Sequence, residues 1–317
     1  MKHTRVIAIA NQKGGVGKTT TAINLAACLA EQQQKVLLID VDPQANATSG
    51  IGIEKEEGKS IYSALLGEAP LVSFIQPTQI ADFDLLPAEV DLAGAEVDIA
   101  RTDSYLHPFK EALTPVLEAG QYDIILIDCP PSLGILTMNT LTAAHSLLIP
   151  MQCEYYALEG LSVMLRLVDR LRDSGANPDL EIEGIVMTMY DMRTNLSQQV
   201  VQEVATHFDE QVFETLIPRS IRLGEAPSHG IPIIEYDPRS VAAAAYRSLA
   251  TELIERIKQR RKKPSSATSV NTSGVEKSTE PVDSENLKES DQDALSADPG
   301  HMESPLDERP DSANAQP

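Results

Sequence analysis

The stretch Asn11-Gln12-Lys13-Gly14-Gly15-Val16-Gly17-Lys18-Thr19-Thr20-Thr21 follows the apolar run Val6-Ile7-Ala8-Ile9-Ala10 and opens a segment of helical pattern. A glycine-rich turn in that position restricts the chain to folds in which a strand end faces a helix N-terminus. There, consecutive backbone N–H groups converge on an anion. In such a turn Lys18 supplies a point charge for the β- and γ-phosphates of a nucleotide, and the Thr19 hydroxyl is a Mg²⁺ ligand. Glycine-rich turns also occur where nothing binds, but Gly-Gly-x-Gly-Lys-Thr between strand and helix argues for a nucleotide. Gln12 stands where the common loop has its first glycine, and a second lysine, Lys13, enters the turn.

The rest of the chain is consistent with one large α/β core. Along residues 1–263 short apolar runs alternate with longer helical stretches, the pattern of a mostly parallel, twisted sheet covered by helices on both faces. Strands are expected near Val6–Ala10, Val36–Ile39, Phe83–Leu86, Ile124–Ile127, Ser146–Ile149, Ile182–Met187, Phe213–Ile217 and Pro232–Ile234. Helices are expected over Lys18–Glu31, Tyr105–Glu118, Leu133–Ala143, Leu158–Asp173, Leu196–Phe208 and Arg239–Arg260. Right-handed crossovers then gather the C-terminal strand ends at one edge, where open α/β sheets bind ligands.

After the basic run Lys258-Gln259-Arg260-Arg261-Lys262-Lys263 the composition changes. Residues 264–317 hold 12 acidic and 3 basic residues, a net −9 of the chain's −21, and scarcely any large apolar side chain. Such a segment cannot bury enough surface to offset its ordering entropy and is expected to be a disordered tail. The globular part, residues 1–263, is acidic too, which argues against nucleic-acid binding through a global field but leaves room for a local patch. No apolar run reaches the roughly twenty residues of a membrane span, and the first strand begins too early for a signal peptide, so a cytoplasmic protein is expected. Cys28, Cys129 and Cys153 are isolated, which suggests neither a disulfide framework nor a metal cluster. Cys28 is expected to pack into the core from the first helix.

Two further motifs fall on the strand-end edge. Val36-Leu37-Leu38-Ile39-Asp40-Val41-Asp42-Pro43-Gln44 ends a buried strand in two acids at i and i+2, whose carboxylates face one side of an extended chain. Asp42, the nearer to a γ-phosphate, is a candidate to orient water for in-line attack. Asp-x-Asp-Pro equally serves to cap a strand and start a turn. Tyr122-Asp123-Ile124-Ile125-Leu126-Ile127-Asp128-Cys129-Pro130-Pro131-Ser132 reads as a Walker B strand, with Asp128 holding Mg²⁺ through a coordinated water. The alternative is a strand-terminal acid satisfying backbone donors. Asp123 reads as a surface acid.

Lys13-Gly14-Gly15-Val16-Gly17-Lys18-Thr19 resembles the deviant Walker A loop of the ParA/MinD group of ATPases. Gln152-Cys153-Glu154-Tyr155-Tyr156-Ala157-Leu158-Glu159-Gly160, the segment from Ile217-Pro218-Arg219 through Gly230, and Tyr236-Asp237-Pro238-Arg239-Ser240 are similar to the chromosomal ParA proteins also called Soj. The resemblance runs from about Val6 to about Ile257 and leaves the tail unmatched. It implies a P-loop NTPase-like domain that hydrolyses ATP with Mg²⁺ and closes as an ATP-dependent homodimer. It also implies non-specific DNA as a ligand of that dimer, with a ParB-type centromere-binding partner stimulating hydrolysis and release, and a nucleoid-associated location.

Carried onto this chain, the resemblance makes Lys13 neutralise phosphate charge in the partner protomer and Lys18 in its own, with Asp42 positioning the water. Nucleotide contacts then come from Lys13, Gly14, Gly15, Val16, Gly17, Lys18, Thr19 and Thr20, and from Pro218 and Arg219 near the adenine. Metal support falls to Thr19 and Asp128. Gly14 must be small because the two loops approach closely across the dimer. Arg193 and Arg222 match DNA-contacting arginines, and without the resemblance they read as surface ion pairs with acids such as Asp191 and Glu225.

Other readings separate on cheap features. A MinD-like positioning ATPase acting on a protein or membrane target without DNA keeps the same dimer switch. Its membrane form is disfavoured because Pro, Ser and acids follow Lys263 where a membrane helix needs bulky apolar residues. The basic run 258–263 admits three readings, an extension of a DNA surface, a weak membrane patch or a solubilising end to the last helix, of which the third is favoured. A carrier of metal clusters lacks the paired cysteines it needs.

Overall fold

The computed structural model describes residues 4–102 and 104–262, so the acidic tail and the boundary at 263/264 lie outside the described residues. Seven strands form one sheet: β1 (Arg5–Ile9), β2 (Val36–Asp40), β3 (Gln76–Pro77), β4 (Phe83–Leu86), β5 (Ile124–Asp128), β6 (Ser146–Gln152) and β7 (Glu181–Thr188). Their order is β3-β4-β2-β5-β1-β6-β7, parallel throughout except for the two-residue edge strand β3 against β4. The central strands read as unbroken Val/Ile/Leu runs because both of their faces are covered. In β1, Val6 and Ala8 point into one apolar layer while Ile7 and Ile9 point into the other, and Leu37/Ile39 against Val36/Leu38 divide in the same way in β2.

Eleven α-helical segments occur among the described residues. They are α1 (Lys18–Glu31), α2 (Asn46–Gly50), α3 (Ile61–Leu65), α4 (Leu92–Ala100), α5 (Pro108–Ala119), α6 (Ile135–Ala143), α7 (Ala157–Asp173), α8 (Asn195–Phe208), α9 (Ile221–Glu225), α10 (Ile233–Tyr236) and α11 (Val241–Lys262). One layer is closed by α4 to α8 and the other by α1, α10 and α11. Cys28 is fully buried on α1, as expected from the sequence. Asp123 is half-buried rather than a free surface acid, and its Oδ2 accepts from Lys35 N at 3.1 Å.

Two expected strands are not strands. Residues 213–217 run beside β7 between isolated bridges at Val212 and Pro218, with Phe213 N donating to Ile185 O and Ile217 N to Met187 O, both at 2.9 Å. Between those points the amides of Glu214 and Thr215 turn instead to the Glu252 carboxylate on α11, at 2.9 and 3.1 Å, so no continuous ladder forms. Pro232–Ile234 enters the helical turn α10, in which Ile233 N donates to Asn24 Oδ1 at 2.7 Å on α1. A buried apolar run of this length has no periodicity that separates strand from helix.

Phe213 lies against Gly184 of β7, where an added Cβ would sit 2.8 Å from Phe213 Cδ2 and 2.9 Å from Gln211 O. Gly184→Ala should therefore overpack this seam and cost about 2 kcal/mol. In a domain of this size that lowers the thermal midpoint by about 5 °C, and an unchanged midpoint would show that the segment yields freely. The basic run enters the same region. Arg260 pairs with Glu181 at 2.9 Å and donates to the carbonyls of Ile182 and Glu183, which ties the end of α11 to β7.

Candidate nucleotide site

β1 is flanked by β5 and β6, and the register sets Asp40 of β2 beside Asp128 of β5, with Ile9 of β1 on the other side of Asp128. The glycine-rich loop thus emerges at the middle of the sheet with two acidic strand ends next to it. Gly17, at φ 86°, forms the N-cap of α1 and lets the loop turn directly into the helix without a capping side chain. Val16 is buried and anchors the turn.

The loop is held in place by two residues outside the candidate set. Asn11 donates from Nδ2 to Pro150 O at 2.8 Å on β6 and accepts from Lys13 N at 3.0 Å. Thr188, at the end of β7, donates to Val16 O at 2.8 Å. Asn11 stands at the strand–loop junction and could have been flagged as a turn residue. Thr188 lies 172 positions from its partner, and only the fold brings it there.

The two loop lysines face different ways. Lys18 is 7% exposed, and its Nζ donates to Lys13 O at 3.2 Å across the inside of the loop. Burial lowers the Lys18 pKa, an effect opposed by the negative charges of Asp128 and Asp42. Lys13, by contrast, is exposed and directs its ammonium outward to the carboxylate of Glu154, beyond the end of β6. Thr19 and Thr20 occupy the first turn of α1, and Gly14 and Gly15 have open space around them.

The acids of the two strand ends differ in what satisfies them. Asp40 is fully buried and saturated, accepting from Asp42 N at 3.1 Å and from both the amide and the hydroxyl of Thr48 at 2.8 Å. Burial raises its pKa, which the Thr48 hydrogen bonds oppose. Asp42 is 6% exposed and caps the following turn by accepting from Gln44 N at 3.0 Å. The turn reading of Asp-x-Asp-Pro is thereby present, and it uses Oδ1 of Asp42 alone.

Asp128 is fully buried, and neither of its carboxylate oxygens has a well-formed hydrogen bond. Burial, reinforced by the charge of Asp40, drives its pKa well above the usual carboxylate range, and the neighbouring Thr19 hydroxyl and Lys18 ammonium act against this. An orphaned buried carboxylate next to a threonine hydroxyl fits a divalent cation. No group of three or more His, Cys, Asp or Glu side chains forms a metal-ligand set among the described residues. Mg²⁺ keeps part of its water shell and takes phosphate oxygens, so few protein ligands are enough to hold it.

Of the remaining candidates, Pro218 and Arg219 lie beside Tyr190, just past the end of β7. Pro218 forms a bridge with Tyr190, and Arg219 N donates to Tyr190 O at 3.0 Å, two residues past Thr188. Arg193 makes a bidentate pair with Asp191 at 2.9 and 2.7 Å, which holds the Asp191 carboxyl down at about 2. Arg222 pairs with Glu225 at 3.0 Å and with Asp237 at 3.8 Å, over the ring of Tyr236. These are the ion pairs anticipated for the two arginines in the absence of any ligand role. No helix among the described residues is long and apolar enough to cross a membrane.

A family model described as an AAA domain matches residues 4–182. The chain is 54% identical over 250 residues to the sporulation initiation inhibitor protein Soj of Bacillus subtilis, covering 78% of this chain and 98% of that protein. It is 51% identical over 253 residues to the chromosome partitioning protein ParA of Myxococcus xanthus, covering 80% of this chain and 88% of the relative. Among solved structures, that of cobyrinic acid a,c-diamide synthase from Mycobacterium smegmatis with bound ATP analog and magnesium superposes with a TM-score of 0.71. It is 38% identical and covers 83% of this chain and all of its own. Two loop lysines that face apart, an unsatisfied acid at the end of β5, and half-identity to Soj and ParA along nearly their whole lengths place this chain in the ParA/Soj family of chromosome-partitioning ATPases.

Proposed function

We propose that the protein is an ATP-dependent dimerisation switch that binds DNA without sequence preference and, with a ParB-type partner stimulating hydrolysis, drives partitioning of a chromosome or plasmid. The observation that carries this reading is the outward direction of Lys13. Its ammonium leaves its own loop to Lys18 and stands exposed on the strand-end edge, where a second copy can receive it.

In this reading the loop amides and Lys18 hold the phosphates of ATP, and Thr19 and Asp128 hold Mg²⁺. The bound Mg²⁺–ATP supplies the γ-phosphoryl group and neutralises charge as that group is transferred. Asp42 orients the attacking water through the oxygen left free by the turn and accepts its proton. Lys13 of each protomer adds positive charge at the partner's phosphates, so hydrolysis and dimerisation depend on each other. Pro218 and Arg219 flank the adenine. The ATP form then resides on the nucleoid, and the ADP form returns to the cytoplasm.

Gly14→Val tests the dimer. Within one protomer an added Cβ at this position meets no protein atom within 4 Å, so the substitution leaves the folded monomer intact, and ATP binding by that monomer is measured alongside. Light scattering with Mg²⁺–ATP should show a monomer, whereas an ATP-dependent dimer would refute close approach of the two loops.

DNA contact is assigned to Arg193 and Arg222, which must exchange their carboxylate partners for phosphates. Each substitution to alanine removes two phosphate contacts per dimer, which should lower the slope of log affinity against log salt by about 1.8. ATPase activity should persist. The deciding experiment is retention on non-specific duplex DNA with no nucleotide, with ADP and with ATP, across a salt titration. Retention with ATP alone supports the reading. ATP-dependent dimers that ignore DNA at every salt move the function to a protein target, a second reading favoured by the 82% exposure of Ile221 beside the paired Arg222.

A further inference from the structure

The segment that follows Asp42 is fastened at both ends. At the nucleotide end, Thr48 of α2 donates its amide and its hydroxyl to Asp40, and its hydroxyl accepts from Ala88 N at 3.0 Å beyond β4. Asp40 in turn receives the amide of Asp42. At the other end, the chain leaving α2 meets the turn Ala226–His229 that continues α9 without interruption. Gly52 and Gly230 touch there backbone to backbone. A Cβ on Gly230 would lie 2.8 Å from Gly52 Cα, and one on Gly52 would lie 3.0 Å from Gly230 O. Gly50 packs chiefly on α1, its hypothetical Cβ falling 2.7 Å from Ile23 Cδ1, and meets the turn at an ordinary 3.6 Å from Pro227 Cβ.

This contact has the properties of a joint. It is made by backbone, so no side-chain rotation can absorb a displacement of either partner, and packed interiors transmit shifts rather than dissipate them. Arg222 is carried by α9, whose Leu223 and the following Ala226 are both buried. The backbone that carries the exposed Arg222 side chain is therefore tied to the turn that seats on Gly52.

We propose that α2, fastened by Asp40–Thr48 at one end and by Gly52–Gly230 at the other, is a strut that makes the position of Arg222 depend on the occupancy of the phosphate site beside Asp42. Its output rests on the DNA reading of Arg222; its mechanics do not. Because coupling between two ligands is reciprocal, DNA must raise ATP affinity by the same factor by which ATP raises DNA affinity, about tenfold for a typical coupling.

Hydrogen exchange of the backbone amides of residues 221–230 in the full chain reads the strut directly. The comparison is Mg²⁺–ADP against a non-hydrolysable Mg²⁺–ATP analogue. In the wild type the analogue should change exchange in this segment by threefold or more, and in Gly230→Ala that difference should vanish while analogue affinity stays within threefold. Thr48→Val preserves side-chain volume, removes the hydroxyl at the opposite end, and should abolish the same difference, which guards against local disruption at Gly230. A full nucleotide response in both variants, or no response in the wild type, overturns the strut. A response that depends on Gly230 and Thr48 in a protein that binds DNA at no salt concentration sustains the strut and removes the DNA reading instead.

Discussion

Lys18→Ala is expected to weaken ATP binding by about 100- to 4,000-fold. The ammonium is nearly enclosed by its own loop and lies within the field of Asp128 and Asp42, so a phosphate there is held by a charge that water barely screens. Removing one partner of such a buried ionic contact costs about 3 to 5 kcal/mol, and each 1.4 kcal/mol is about tenfold in affinity. The cost falls on binding rather than on folding, because the one hydrogen bond that Lys18 makes, to Lys13 O, lies within the loop. Titration calorimetry with Mg²⁺–ATP, alongside circular dichroism to confirm the fold, measures the effect. An affinity within a few-fold of the wild type would overturn the assignment of the loop.

Asp42→Ala should leave ATP affinity within about threefold and reduce turnover by about 100- to 10,000-fold, the range for removing a positioned general base. The two quantities separate on the proposed reading, in which Asp42 would orient the reacting water while backbone amides and Lys18 would hold the phosphates. Arrested before hydrolysis, the variant should accumulate as the ATP dimer. Single-turnover phosphate release and light scattering on the same sample test both halves. Brisk turnover would rule out this role for Asp42 and leave only its turn-capping bond to Gln44 N.

The difference between Asp40 and Asp42 illustrates where the sequence stops being informative. Both acids end the same apolar strand, and the i, i+2 spacing puts their carboxylates on one side. Only the fold reveals that Asp40 is consumed by Thr48 and Asp42 N, whereas Asp42 keeps an oxygen free and Asp128 has both. Hydrogen-bond satisfaction is a property of neighbours, and Thr48 and Ala88 reach this cluster from other elements. The helices α2, α3 and α4 escape sequence reading for a related reason. They are short, and their stability comes from packing rather than from a sustained amphipathic pattern.

By itself the sequence determined the fold class, the loop and its two unequal lysines, the acidic strand ends, and a family resemblance that the relatives bear out. These are local statements: a strand, a glycine-rich turn and a helix N-terminus occur in consecutive residues, and their geometry follows from backbone sterics. Tertiary structure alone decided that Lys13 points away from its own loop to Glu154, that Asn11 and Thr188 clamp the loop, and that residues 213–217 give up a β-ladder to Glu252. It alone seated Gly52 on Gly230, residues 178 positions apart. Each of these depends on which long-range partner reaches a polar group or an open space first, and that competition is resolved only when the sheet and its two helical layers close.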